Sequence, residues 1–210
     1  SHPGTQLLSE VSMTLDSLRH RAGAFLAQPG VAFFARLGIS PNALSLIGFA
    51  GNLGAAALVA WAYPFWAGLL VLFFGLFDLW DGAVARRLER ASPWGALFDS
   101  VLDRLSEAAI SLGLVIYFID KGEDVLAILV LLVAWVGSVL VSYIRARGEG
   151  LGLSCPVGFF TRPERVVVLG LGLLLGWIMP ALVIIGVLSW LTAGQRFIYL
   201  WRRANLKYPR

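Results

Sequence analysis

Four aspartates, Asp78, Asp81, Asp99 and Asp103, stand within the run DLWDGAVARRLERASPWGALFDSVLD, between the apolar stretches AGLLVLFFGLF and AAISLGLVIYF. Asp78 and Asp81 are spaced i,i+3, Asp99 and Asp103 i,i+4, so each pair would lie along one face of a helix. A short connection between the two helices would let the pairs oppose one another. Four converging carboxylates repel unless cations lie between them. Hard oxygen ligands suit Mg²⁺ or Mn²⁺, and several bridging carboxylates suit two ions rather than one. A solvated charge cluster would account for Arg87, Glu89 and Arg90 but not for Asp78 or Asp103 inside apolar runs, where acids are functional by default. A proton or cation pathway, as in a transporter, is the other reading. It leaves unexplained the small residues Gly82, Ala85 and Gly95, which would admit a ligand close to the backbone.

The elements that must position these acids are membrane helices. The chain has 210 residues, 58% hydrophobic and 14% charged, against about 25% charged in soluble domains. Segments of the length needed to cross a bilayer fall at roughly 41–62, 66–88, 94–119, 124–146, 163–179 and 181–201, with Pro180 as the expected turn between the last two. The expected fold is an all-α integral membrane protein of six transmembrane helices. An interfacial amphipathic helix over 13–36, broken near Pro29-Gly30, precedes them. Residues 1–12 show no cleavable signal peptide and are expected to be an expression remnant or disordered. The catalytic domain is expected over 37–204, with 205–210 as a tail. The single cysteine, Cys155, excludes an intramolecular disulfide framework.

Six spans place Lys121 alone among the 17 Lys and Arg residues on one side. The positive-inside rule then puts both termini, and the acidic site, at the cytoplasmic face of the cell membrane. Ser40-Pro41, Ser92-Pro93 and Thr161-Arg162-Pro163 each set a hydroxyl cap beside an early-turn proline, and Thr161 with Glu164 fits a capping box. These starts belong to the first, third and fifth helices. Three partial positive ends would therefore gather at one face, an arrangement that favours phosphate.

The acidic run resembles the signature of the CDP-alcohol phosphotransferase superfamily, D-x2-D-G-x2-A-R-x8-G-x3-D-x3-D. Asp78, Asp81, Gly82, Ala85, Arg86, Gly95, Asp99 and Asp103 meet it with every spacing intact. The resemblance implies Mg²⁺-dependent transfer of a phosphatidyl-type group from a CDP-linked lipid to an alcohol, with release of CMP. It implies that Asp78, Asp81, Asp99 and Asp103 hold two metal ions and that Asp103 is also the base on the attacking hydroxyl. It further implies that Asn42, Ser45, Gly82, Ala85, Arg86 and Ser92 surround the CDP group, although capping and packing alone would explain Ser45 and Ser92. A homodimer is implied too, and no nucleic acid.

The second half of the chain must choose the acceptor. Arg145, Arg165 and Arg196 stand deep enough in their segments to be costly as topology markers, and guanidinium groups grip phosphate in a fork. Arg147, Arg162, Arg202 and Arg203 can be positive-inside anchors. The runs SYIRAR, RPER and the Gln195-Arg196 pair resemble the phosphatidylinositol-phosphate synthases, which join inositol 1-phosphate to CDP-diacylglycerol. By that resemblance the three arginines hold the acceptor phosphate. Bacterial members usually carry lysine where Arg145 stands. An archaeal-type lipid donor and a glycerol 3-phosphate acceptor, as in phosphatidylglycerophosphate synthases, therefore stay open.

Overall fold

The computed structural model of the chain describes residues 39–75, 77, 92–122 and 125–207. Among them it contains helices and no strands: α1 Pro41–Ala60, α2 Pro64–Gly75, α3 Pro93–Asp120, α4 Val125–Gly150, α5 Arg162–Leu174 and α6 Ile178–Lys207. The expected amphipathic helix over 13–36 lies outside the described residues, as do Asp78, Asp81, Gly82, Ala85 and Arg86.

The helix starts form as their sequences dictate. Ser40 Oγ accepts from Ala43 N–H at 3.3 Å, and Ser92 Oγ accepts from Gly95 N–H at 3.0 Å. Each cap is followed by a proline whose missing N–H costs a helix start nothing. At α5 the Glu164 carboxylate reaches back and accepts from the Thr161 N–H at 2.7 Å and from the Thr161 hydroxyl at 2.6 Å.

α1 packs on α3 and α2, α2 on α5, and α4 on α6, with lesser α5–α6 and α3–α4 contacts. The described part of α2 rests chiefly on α1 and α5, and the stretch expected to lie beside the start of α3, with Asp78 and Asp81, is outside the described residues. The core joins small and branched side chains from all six helices: Ala55 and Val59, Ala67 and Val71, Ile110, Leu114 and Phe118, Ala127 and Leu131, Leu173, Ile178 and Leu182. Large apolar residues also point outward along the helices, among them Trp61, Leu112, Leu126 and Phe197. In water that surface would be a liability; in a bilayer it is the expected exterior.

Among the described residues, three helices are long and apolar enough to cross a membrane: Pro41–Ala60, Val125–Gly150 and Ile178–Leu206. α3 has comparable length, with 28 residues, but carries Asp99, Asp103, Arg104 and Glu107 in its first half. α5, with 13 residues, spans only about 20 Å at 1.5 Å per residue, less than the roughly 30 Å hydrocarbon core. The segment expected over 163–179 is shortened by its turn. The chain reverses at Leu175, Gly176 and Trp177, with Gly176 at φ +70°, and not at Pro180. Pro180 is the third residue of α6, where the first-turn N–H has no intrahelical partner to lose.

Candidate active site

Asp99 and Asp103 lie on one face of α3, within its first three turns, as their spacing requires. One oxygen of each is already constrained by its surroundings. Asp99 Oδ1 is buried and accepts no hydrogen bond among the described residues, whereas Asp103 Oδ1 forms an ion pair with the Arg162 guanidinium at the start of α5. A buried carboxylate oxygen without a donor is costly, and a cation is the partner that suits it. The Asp99 and Asp103 donor set therefore fits a hard divalent ion. No group of three metal-ligating side chains stands together among the described residues. The other two aspartates of the motif are outside them.

The first turn of α1 meets the first turn of α3. A Cβ added to Gly95 would stand 3.2 Å from Ser92 Oγ and 3.3 Å from Asn42 Oδ1, so Asn42, Ser92 and Gly95 share one corner. Ser45 is buried one turn further along, and its hydroxyl donates to Pro41 O at 3.3 Å. With α5 joined to α3 through Arg162 and Asp103, the N-termini of α1, α3 and α5 gather on one side of the bundle.

A cleft of about 630 Å³ opens there. Its walls include Asp103 of α3, Arg145 and Glu149 of α4, Arg162 and Arg165 of α5, and Arg196 of α6. The three arginines drawn from different helices thus face one space together with Asp103. They are not equivalent. Arg165 and Arg196 are buried, at 5% and 4% exposure. Arg145 is not deep: its side chain is 55% exposed and its Nε donates to Glu149 at 2.8 Å. The reason is that α4 runs on to Gly150, a turn beyond the expected end, and carries Arg145 onto an open turn at the cleft mouth.

Arg196 serves as a clasp as well as a wall. Its Nε donates to Val157 O at 2.9 Å and its Nη1 to Val141 O at 2.6 Å, tying the 151–161 connection to α4. Gly158, at φ +143°, lets the backbone lie against that guanidinium, and a Cβ there would come within 2.6 Å of Nη2. Below the guanidinium sits Cys155, whose thiol is buried; desolvation pushes its pKa up, partly offset by the positive charge of Arg196.

Sequence reasoning did not single out Glu107. It follows Asp103 by four residues and so continues the Asp99–Asp103 stripe along α3, a regularity visible in the sequence. It pairs with Arg104 at 2.8 Å and with Arg165 at 3.0 Å. Arg162, read as a topology anchor, instead neutralises Asp103. Gly158 could not be foreseen, because its partner is 38 residues away in sequence and met only through the fold.

An all-helical membrane bundle with paired acids on one helix and arginines gathered across a polar cleft defines a class of membrane transferase. The family profile of the CDP-alcohol phosphatidyltransferases matches residues 38–201, and the chain belongs to that family of enzymes. It is 34% identical to the archaetidylinositol phosphate synthase of Methanothermobacter thermautotrophicus over 174 residues, 80% of this chain and 86% of the relative. It is 32% identical over 198 residues to the phosphatidylinositol phosphate synthase of Mycobacterium tuberculosis, 89% of this chain and 91% of the relative. The crystal structure of a Mycobacterium tuberculosis phosphatidylinositol phosphate synthase with CDP-DAG bound is similar, with a TM-score of 0.74 and 29% identity, covering 83% of this chain and 93% of that one. The same relative in complex with manganese and citrate gives a TM-score of 0.74 at 28% identity, covering 83% and 88%.

Proposed function

We propose that this membrane enzyme transfers a phosphatidyl-type group from a CDP-linked lipid to inositol 1-phosphate and releases CMP. The observation that carries this reading is the single cleft shared by Asp103, Arg145, Arg165 and Arg196. One acid beside several arginines is what a phosphorylated alcohol needs: a base for its hydroxyl and guanidinium groups for its phosphate. The relatives that act on inositol phosphate support the choice of acceptor.

In this mechanism Asp78, Asp81, Asp99 and Asp103 would hold divalent metal, Mg²⁺ or Mn²⁺, whose charge neutralises the pyrophosphate of the donor and its leaving group. The manganese complex of the similar structure supports the use of a divalent metal. Asp103, oriented by Arg162, accepts the proton of the acceptor hydroxyl. The hydroxyl oxygen forms a bond to the lipid-bearing phosphorus as the bond from that phosphorus to the CMP oxygen breaks. CMP departs with the electron pair. Asn42, Ser45, Gly82, Ala85, Arg86 and Ser92 surround the cytidine diphosphate. The corner where Asn42, Ser92 and Gly95 meet lies at two helix N-termini, which favours its phosphates. Arg165 and Arg196 grip the acceptor phosphate from within, and Arg145 closes on it from the mouth of the cleft. The residues 37–204 act as one catalytic domain, with both termini and the cleft on the cytoplasmic side, and the enzyme works as a homodimer.

The test is CMP release by the purified protein from CDP-diacylglycerol, with inositol 1-phosphate, glycerol 3-phosphate and free inositol offered separately. Faster release with glycerol 3-phosphate would sink the proposed acceptor. Because one relative is an archaetidylinositol phosphate synthase, the same panel is run with an ether-linked CDP-lipid, and the faster donor assigns the lipid class.

A further inference from the structure

Glu107 lies one helical turn below Asp103 and faces guanidinium groups from two helices. Its Oε2 accepts from Arg104 Nη1 at 2.8 Å, its Oε1 accepts from Arg165 Nη2 at 3.0 Å, and Arg162 Nε stands 3.9 Å from Oε1. The contact to Glu107 is the one hydrogen bond the Arg165 side chain makes among the described residues, where its Nε and Nη1 are buried with no partner. Arg165 also borders two spaces at once. One is the cleft of Asp103, and the other is an inner cavity of about 70 Å³ whose lining includes Ser106, Glu107, Trp135 and Ser138. A buried guanidinium with two idle donors between two spaces needs something to fix its orientation. The Glu107 carboxylate, on the inner side, is the partner that does so.

We propose that Glu107 is a positioning residue for the acceptor phosphate. By holding Nη2 from the inner side it fixes the orientation of Arg165, so that Nε and Nη1 are kept for the phosphate. This inference rests on reading the cleft as the acceptor site. It can be told from a bulk charge effect by sign. Glu107 is an acid in contact with an arginine of the cleft, so if charge alone mattered, removing it would strengthen anion binding. If Glu107 tethers Arg165, removing it weakens binding.

Glu107→Gln keeps the shape and discards the charge. The KM for inositol 1-phosphate should rise about tenfold to a hundredfold, the range set by loss of a hydrogen bond to a charged group. The KM for CDP-diacylglycerol should stay within about twofold, since the altered contact is confined to the acceptor side. Should the Gln variant not fold, Glu107→Asp is measured instead. It retains the charge with a shorter reach, and a smaller rise in acceptor KM is expected. An unchanged or lowered acceptor KM, or an equal rise for both substrates, overturns the proposal. The wild-type arm separates the two readings: failure of the wild-type protein to use any phosphorylated acceptor refutes the acceptor site itself. Normal wild-type transfer with an unaffected variant refutes only the tether.

Discussion

Replacing Gly158 by alanine should disable the cleft from outside it. The new Cβ would stand 2.6 Å from Arg196 Nη2 and 2.7 Å from its Nε. An arginine tip usually yields to such a clash, but this one is fastened to Val157 O and Val141 O. To reach ordinary contact it must retreat by the better part of an ångström, which stretches the longer bond, from Nε to Val157 O, beyond useful length. Alanine at φ +143° adds backbone strain of about 1–3 kcal/mol, and a lost charged hydrogen bond costs about 1.5–3 kcal/mol. The combined penalty is about 3–6 kcal/mol, a large part of the roughly 5–15 kcal/mol that stabilises a typical domain. Thermal unfolding in detergent should therefore show a Tm lower by about 6–20 °C. The acceptor KM should rise while that for the CDP-lipid changes little. A double-mutant cycle tests the cause. With Arg196→Ala in place the clash is gone, and Gly158→Ala should then cost only the backbone term. Additive penalties in the two variants, or a wild-type Tm in Gly158→Ala alone, would refute this account.

Two further outcomes follow from the same geometry. Asp103→Asn should abolish CMP release while leaving a folded protein, and chelation of divalent cations should do the same reversibly; turnover surviving in the Asn variant would remove Asp103 as the base. Cys155 should react slowly with iodoacetamide near pH 8, because its burial holds the thiol pKa above the ordinary value. The protonated thiol is the form the fold prefers, so its contribution to stability is complete below the unfolded-state pKa and is lost as pH rises through the folded one. Rapid labelling of the folded enzyme would contradict the burial.

The parts of the site that could be read from the sequence are those governed by local rules. The spacing of Asp99 and Asp103 set their common helix face, and the serines at 40 and 92 announced the helix starts they do cap. The capping box at Thr161 and Glu164 was equally local. Errors arose where a residue's role depended on how far an element ran. Pro180 suits a helix first turn as well as a loop, and only the φ of Gly176 decides between them. Arg145 is deep if α4 stops at 146, but it is open to solvent because the helix continues to Gly150. The contacts that shape the arginine side of the cleft were out of reach, since Arg165 meets Glu107 from 58 residues away and Arg196 meets Val141 from 55.

The charges of the cleft have a physical order. Arg162 pairs with Asp103, and Arg165 pairs with Glu107, so each of these two half-buried acids on α3 faces an arginine on α5. An isolated charge at this depth would be expensive, and pairing across two helices lowers that cost while fixing their register. The pairing is incomplete on the arginine side. Among the described residues Arg165 keeps two donors without partners, and Arg145 meets its acid only at an exposed surface, where such contacts are weak and easily exchanged. An incoming phosphate thus finds one guanidinium already oriented and another able to leave its present partner. It need not displace Arg162 from Asp103. On the proposed reading, the acid that takes the proton and the arginine that holds the phosphate keep different direct partners, and Arg162, which pairs with Asp103 and stands 3.9 Å from Glu107, links the two pairs. On this reading Arg145→Ala weakens acceptor binding less than Arg165→Ala does, because an exposed ion pair is exchanged for the phosphate while a preoriented buried donor gives up nothing.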